Sequence, residues 1–175
     1  MKKLYTLLAL TMSFSMNAQV STASTDASGN ESTAMGWETI ASGLASTAMG
    51  RATRASGDYS TSMGRNTLAY GDYSVAMGYY TTASGDYSVA MGRETTASDY
   101  ASLVIGQYNS SGSSATSANS FSTSAPAFVI GNGTNSSNKS DAFKVMFNGD
   151  TTVSNDLTVS GDVVISSDAR LKSNI

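Results

Sequence analysis

The sequence predicts an all-β protein: a parallel solenoid of fourteen-residue coils followed by a short β-strand neck. Three observations carry this expectation. GDYSVAMGYYTTAS at residues 71–84 is followed directly by GDYSVAMGRETTAS at residues 85–98. Glycine stands at Gly36, Gly50, Gly64, Gly78, Gly92 and Gly106, a constant step of fourteen. That step is even, so strands stacked in register return each residue type to the same face of a sheet. A repeat this regular describes an array in which each unit packs on its neighbours.

The inventory narrows the chemistry. The 175 residues contain no cysteine, no histidine and one proline. Cys/His zinc sites, His-ligated haem, Ser-His-Asp and Cys-His catalysis and disulfide staples are therefore excluded, and no cofactor or metal is expected. Charged residues make up 13% and the net charge is -3, with no basic patch of the kind that neutralises phosphates, so nucleic acid is not expected as a partner. Low charge with abundant Ser, Thr, Gly and Ala suits disorder, but 40% of residues are apolar and they occupy fixed columns, which argues for order.

Residues 1–18 read as a secretory signal peptide. Lys2 and Lys3 precede an apolar run from Leu4 to about Phe14, small and polar residues follow, and cleavage is expected near Ala18–Gln19. The run is too short to span a bilayer comfortably and no other long apolar run follows, so no transmembrane helix is expected.

Residues 19–110 form the repeat region. Besides glycine, serine recurs from Ser32 to Ser102, a large apolar residue from Met35 to Ile105, threonine from Thr39 to Thr95 and alanine from Ala41 to Ala97. Fourteen is two heptads, but a glycine in every unit costs a helix roughly 1 kcal/mol each, and no a/d seam is present. As strands, Ser74-Val75-Ala76-Met77 places Val75 and Met77 on one face and Ser74 and Ala76 on the other. The glycine after each Met permits a positive-φ bend, Thr-x-Ala supplies a second short strand, and Ser-Gly-Asp turns the chain. A coil this small is expected to enclose one narrow row of Val, Thr and Met, too little to offset the ordering entropy. The alanine face is then expected to pack against other copies in a homotrimer.

Residues 111–126 break the register with a low-complexity, serine-rich loop. Residues 127–166 restore one Phe-Val-Ile-Gly motif at Ala127 to Gly131. They continue with alternating apolar and polar residues and an Asn-Gly turn, read as the strands of a neck.

Three further columns invite sharper readings. Asp58, Asp72 and Asp86 form a carboxylate ladder that suits calcium, although an aspartate after glycine is an ordinary turn residue and that reading is preferred. Tyr59, Tyr73 and Tyr87 form either a ligand-facing strip or a packed ladder, the ladder being preferred. The threonine column resembles one row of an ice-binding face, with inward or ladder-forming threonines the simpler account.

The motifs SVAMG, STAMG, STSMG and SLVIG, each followed by a Thr and an Ala, resemble the head repeats of trimeric autotransporter adhesins, the YadA-like heads. The resemblance covers about residues 29–110, with Met where the family prefers Ile. It implies a left-handed parallel β-roll, three copies of which form a head on a bacterial surface fibre. It further implies adhesion to host matrix protein, glycan or another cell surface, and a secreted or outer-membrane-associated location.

VVISSDARLKSNI at residues 163–175 resembles the opening of the peptidase S74 intramolecular chaperone domain of phage tail spikes, tail fibres and some surface proteins. That resemblance implies self-cleavage between Ser166 and Ser167 by a dyad of Ser167 and Lys172, in a parent protein whose domain begins at residues 167–175. A deprotonated lysine can serve a serine nucleophile where histidine is missing. With only three residues after Lys172, self-cleavage is expected to be inactive in the chain as it stands, and no other enzymatic activity is expected. The competing reading is a phage-type tail fibre or spike segment matured by autoproteolysis, against which the signal peptide weighs.

Overall fold

A computed structural model describes residues 24–161. The signal segment and the Ser167–Lys172 dyad lie outside the described residues. Within them the chain winds as a β-solenoid without helix, one coil per fourteen residues, as the even period requires.

Six long strands, β1 (Thr33–Trp37), β3 (Thr47–Arg51), β5 (Thr61–Arg65), β7 (Val75–Tyr79), β9 (Val89–Arg93) and β11 (Leu103–Gln107), pair in parallel and in strict register. Met35 faces Met49, Met49 faces Met63 and Gly64 faces Gly78. Between them run five two-residue strands, β2 (Ile40–Ala41), β4 (Arg54–Ala55), β6 (Leu68–Ala69), β8 (Thr82–Ala83) and β10 (Thr96–Ala97), which form the second parallel sheet. The two sheets are the two walls of the roll.

Each coil turns twice through left-handed backbone. Tyr59, Tyr73 and Tyr87 at one corner and Asn66, Tyr80 and Glu94 at the other have φ between 50° and 60°. Their N–H groups donate to the preceding coil: Tyr73 to the Asp58 carbonyl at 2.7 Å, Tyr80 to the Arg65 carbonyl at 3.0 Å. Hydrogen bonds across the stack hold conformations that non-glycine residues otherwise adopt at a cost of about 1 kcal/mol or more.

Two glycine columns govern the spacing. Gly36 to Gly92 sit at φ of 120–126°, and a Cβ on Gly78 would lie well under 3.0 Å from the Gly92 carbonyl oxygen. A second column, Gly29, Gly43, Gly57 and Gly71, would collide in the same way with the coil above. Backbone rests on backbone at both places.

The interior corrects the expected core. Ala34, Ala48, Ala76 and Ala90 and the column Ala41, Ala55, Ala69, Ala83 and Ala97 are fully buried inside the roll, with the threonines from Thr39 to Thr95. The Val and Met residues expected inside are half-buried and point outward. Val75 and Met77 share one face opposite Ser74 and Ala76, as expected, but that face is the outer one; the threonines lie inside, also as expected. Through the first five coils only Ala, Ser and Thr side chains lie between the walls, and Val104 and Val129 continue the inner column at the far end, where a residue of threonine's size still fits and methionine does not. Because it is buried, the column from Thr39 to Thr95 does not form an outward face of the ice-binding kind.

The buried threonine column follows one rule. The hydroxyls of Thr39, Thr53, Thr81 and Thr95 have no hydrogen-bond partner, and the residue five positions earlier is in each case alanine. At the fifth such place Ser62 replaces alanine, and its hydroxyl lies 2.7 Å from the Thr67 hydroxyl and donates to the Thr67 carbonyl at 2.9 Å. The same serine divides the buried alanines into two clusters.

After β11 the step to β12 (Pro126–Asn132) is 25 residues, Leu103 pairing with Phe128 and Gly106 with Gly131. β12 thus adds a seventh long strand after the inserted loop. β13 (Asp141–Met146) and β14 (Thr151–Val153) then continue antiparallel through a turn at Asn148–Gly149, a short meander where a neck was expected.

Two consequences are measurable by thermal or denaturant unfolding. Gly78→Ala is expected to lose more than about 4 kcal/mol, because only backbone displacement relieves the clash. Ala76→Ser, which gives Thr81 the partner that Thr67 has, is expected to gain about 1 kcal/mol, and Ser62→Ala to lose a similar amount.

Candidate functional site

The solenoid presents three outward features, each an in-register column. On the long-strand wall, Met35, Met49, Met63, Met77, Met91 and Ile105 run beside Thr33, Thr47, Thr61, Val75, Val89 and Leu103, all half-buried. This is a continuous apolar face on the outside of the roll. It arises because β-strand alternation must send every second residue outward once alanine fills the interior.

One corner carries the Asp–Tyr column. Tyr59 stacks on Tyr73 at 5.0 Å and Tyr73 on Tyr87 at 4.8 Å, nearly parallel, with Tyr100 tilted against Tyr87 at 5.2 Å. Ring faces are covered by neighbouring rings, leaving edges and hydroxyls to solvent: a packed ladder. Each carboxylate accepts a backbone N–H from the coil before it, Asp58 from Leu44 at 2.8 Å, Asp72 from Asp58 at 2.9 Å and Asp86 from Asp72 at 3.0 Å. The aspartates act as turn residues, and among the described residues no cluster of acidic side chains suits a metal ion.

The opposite corner, half a coil away, reads Trp37, Arg51, Arg65, Tyr79 and Arg93 in register. The Arg51 guanidinium lies 4.3 Å from the Trp37 ring centroid, Arg65 5.5 Å from Tyr79 and Arg93 5.3 Å from Tyr108. Sequence reading had not singled out this column. Its signal was present in the residue after each repeat glycine.

The serine-rich loop after β11 folds back as a cap on the short-strand sheet. Asp99 occupies the place of the second glycine column and is fully buried, accepting the N–H groups of Thr116 at 2.5 Å and Ser117 at 2.7 Å. Asn109 occupies the threonine column, and its amide accepts from the Thr96 N–H at 2.8 Å and donates to the Thr96 carbonyl at 2.9 Å. It thereby replaces the strand that β10 lacks. Both substitutions fall where the repeat ends, so the departure from the pattern was the signal for the cap.

Partial desolvation raises the Tyr87 phenol above its usual 10.0, with the charges of Tyr100, Tyr73 and the two nearest aspartates adding to it. Tyr108 is raised by desolvation and by donating its hydroxyl to Glu94 at 3.0 Å.

The geometry defines a class: a repetitive β-solenoid whose described residues form in-register surface columns. Residues 27–53, 55–81 and 83–109 match the model of the YadA head domain repeat (2 copies). The chain carries a YadA-like head, and the matched segments run through the fourteen-residue coils. No curated protein and no solved structure matches the chain. Among the described residues no helix is long and apolar enough to cross a membrane.

Asp99→Ala is expected to release residues 110–119, seen as faster backbone hydrogen exchange there, and to cost about 2 kcal/mol from two lost charge-assisted bonds. In an alkaline titration followed by phenolate absorbance, Tyr87 and Tyr108 are expected to ionise above pH 10.0. A phenol with a raised folded pKa stabilises the fold below pH 10.0, and that contribution disappears as pH climbs through the raised value.

Proposed function

We propose that this chain is the adhesive head of a trimeric fibre exposed on a bacterial surface. The observation that carries the proposal is the outward Met/Val column on a roll whose first five coils bury only Ala, Ser and Thr side chains. A wall of half-buried apolar residues along the whole solenoid needs a partner surface, and matching coils of other copies offer the same period. The face that packs is the methionine face, replacing the alanine face expected from sequence.

Three heads held in parallel present each outward column three times. Weak contacts to a repetitive host matrix, glycan or cell surface then gain avidity through effective concentration. The signal segment supports export, and the YadA-like head supports a surface location. Ser167 and Lys172 fit self-cleavage of a longer parent chain after the trimer forms; cleavage between Ser166 and Ser167, abolished by Ser167→Ala, is the mass-spectrometric check.

Light scattering on residues 19–166 is expected to give three times the monomer mass. Paired Met63→Glu and Met77→Glu changes, which place charges in the packed face, are expected to yield smaller species. A monomeric unaltered head would overturn the trimeric reading.

A further inference from the structure

We infer that the corner column Trp37, Arg51, Arg65, Tyr79 and Arg93 is a binding strip for a linear anionic polysaccharide lying along the solenoid axis. The inference deepens the adhesive reading and rests on it.

Charge is the first observation. The four arginines of the solenoid are Arg51, Arg54, Arg65 and Arg93, three of them in one register column. Asp58, Asp72 and Asp86 stand seven residues further along the coil, on the other corner. The solenoid is thus divided lengthwise into a cationic and an anionic edge. Glu38 and Glu94 stand beside the cationic column, and Glu94 is taken up by the Tyr108 hydroxyl.

Availability is the second. Among the described residues none of these arginines forms an ion pair; Arg54 donates to the Ser56 hydroxyl at 2.8 Å, and Arg51, Arg65 and Arg93 rest on aromatic rings. A guanidinium resting on a ring is held in place while its edge donors stay open. Such an edge matches the two oxygens of a sulfate or carboxylate.

Spacing is the third. Parallel coils repeat at about 4.8 Å, so the column presents ring, cation, cation, ring, cation at regular steps over roughly 19 Å. A polysaccharide chain alternates acidic groups with the apolar C–H faces of its sugar rings, and Trp37 at 40% exposure, with Tyr80 at 47% beside the column, offers rings to those faces. A small anion would use one step of the strip, whereas a polymer uses all of them.

The test uses the trimeric head and four immobilised probes: heparin, polygalacturonate, neutral dextran and duplex DNA. Expected are binding to heparin or polygalacturonate, no binding to dextran, and loss of binding as salt shortens screening from about 10 Å at 0.1 M to about 3 Å at 1 M. Combined Arg51→Ser, Arg65→Ser and Arg93→Ser changes are expected to weaken binding at least about tenfold, with melting temperature and mass unchanged. Arg→Lys at the same three places is expected to restore only part of it, because lysine keeps the charge and loses the planar fork. Heparin binding that survives the triple serine change, or equal binding to DNA, overturns the strip. If the serine variant instead changes the oligomer mass, the arginines pair with the aspartate edge of a second copy and the inference fails. Binding to neutral glycan or matrix coats alone would remove the strip and leave adhesion standing, whereas binding to no surface would remove both.

Discussion

Direct backbone-on-backbone contact at the two glycine columns is the constraint from which the rest of this structure follows. A Cβ on Gly78 or Gly71 would intrude on the carbonyl of the next coil, so the chain can stack in register only where side chains are missing. Each circuit of fourteen residues accommodates two such corners, two left-handed non-glycine residues and two strands. Register, once set by the glycines, places every other column.

Thinness has consequences for energetics. Inside the roll there is room for Ala34, Thr39 and their equivalents and, at the far end, for Val104 and Val129, while the alternate residues such as Met35 and Val75 lie on the outer wall. Burial of alanine removes little apolar area, and the unpartnered hydroxyls of four threonines lower the return further. The coil compensates with backbone hydrogen bonds that run unbroken from one coil to the next, and with ladders such as Tyr59–Tyr73–Tyr87. The remaining deficit is what makes the methionine face the expected contact with further copies.

A stack of identical coils has open ends, and its termination needs residues that break the pattern. At the far end Asp99 and Asn109 do this by offering side-chain oxygen and nitrogen where a further coil would offer backbone. The resumed strand β12 then hands the parallel wall over to an antiparallel meander. The corner after each repeat glycine, by contrast, varies: Trp37, Arg51, Arg65, Tyr79 and Arg93 share one position, and such a position is where recognition can diversify without disturbing the stack.

Period, parallel stacking, the split of Val75 and Met77 from Ser74 and Ala76, and the positive-φ glycines were all legible in the residues, because each is a consequence of local periodicity. Inside and outside were not, since alternation assigns residues to two faces without saying which face is the interior. Only the radius of the closed coil decides that, and the radius is a tertiary property. The cap was likewise hidden in a serine-rich stretch whose order comes from Asp99 and Asn109, partners distant in sequence until the loop folds back. The arginine column escaped notice because its members lie fourteen residues apart and become neighbours only when the coils stack. What the sequence by itself determined is a fourteen-residue β-solenoid; which side of each strand faces solvent, how the stack ends and which charges line one edge were decided by closure of the coil in three dimensions.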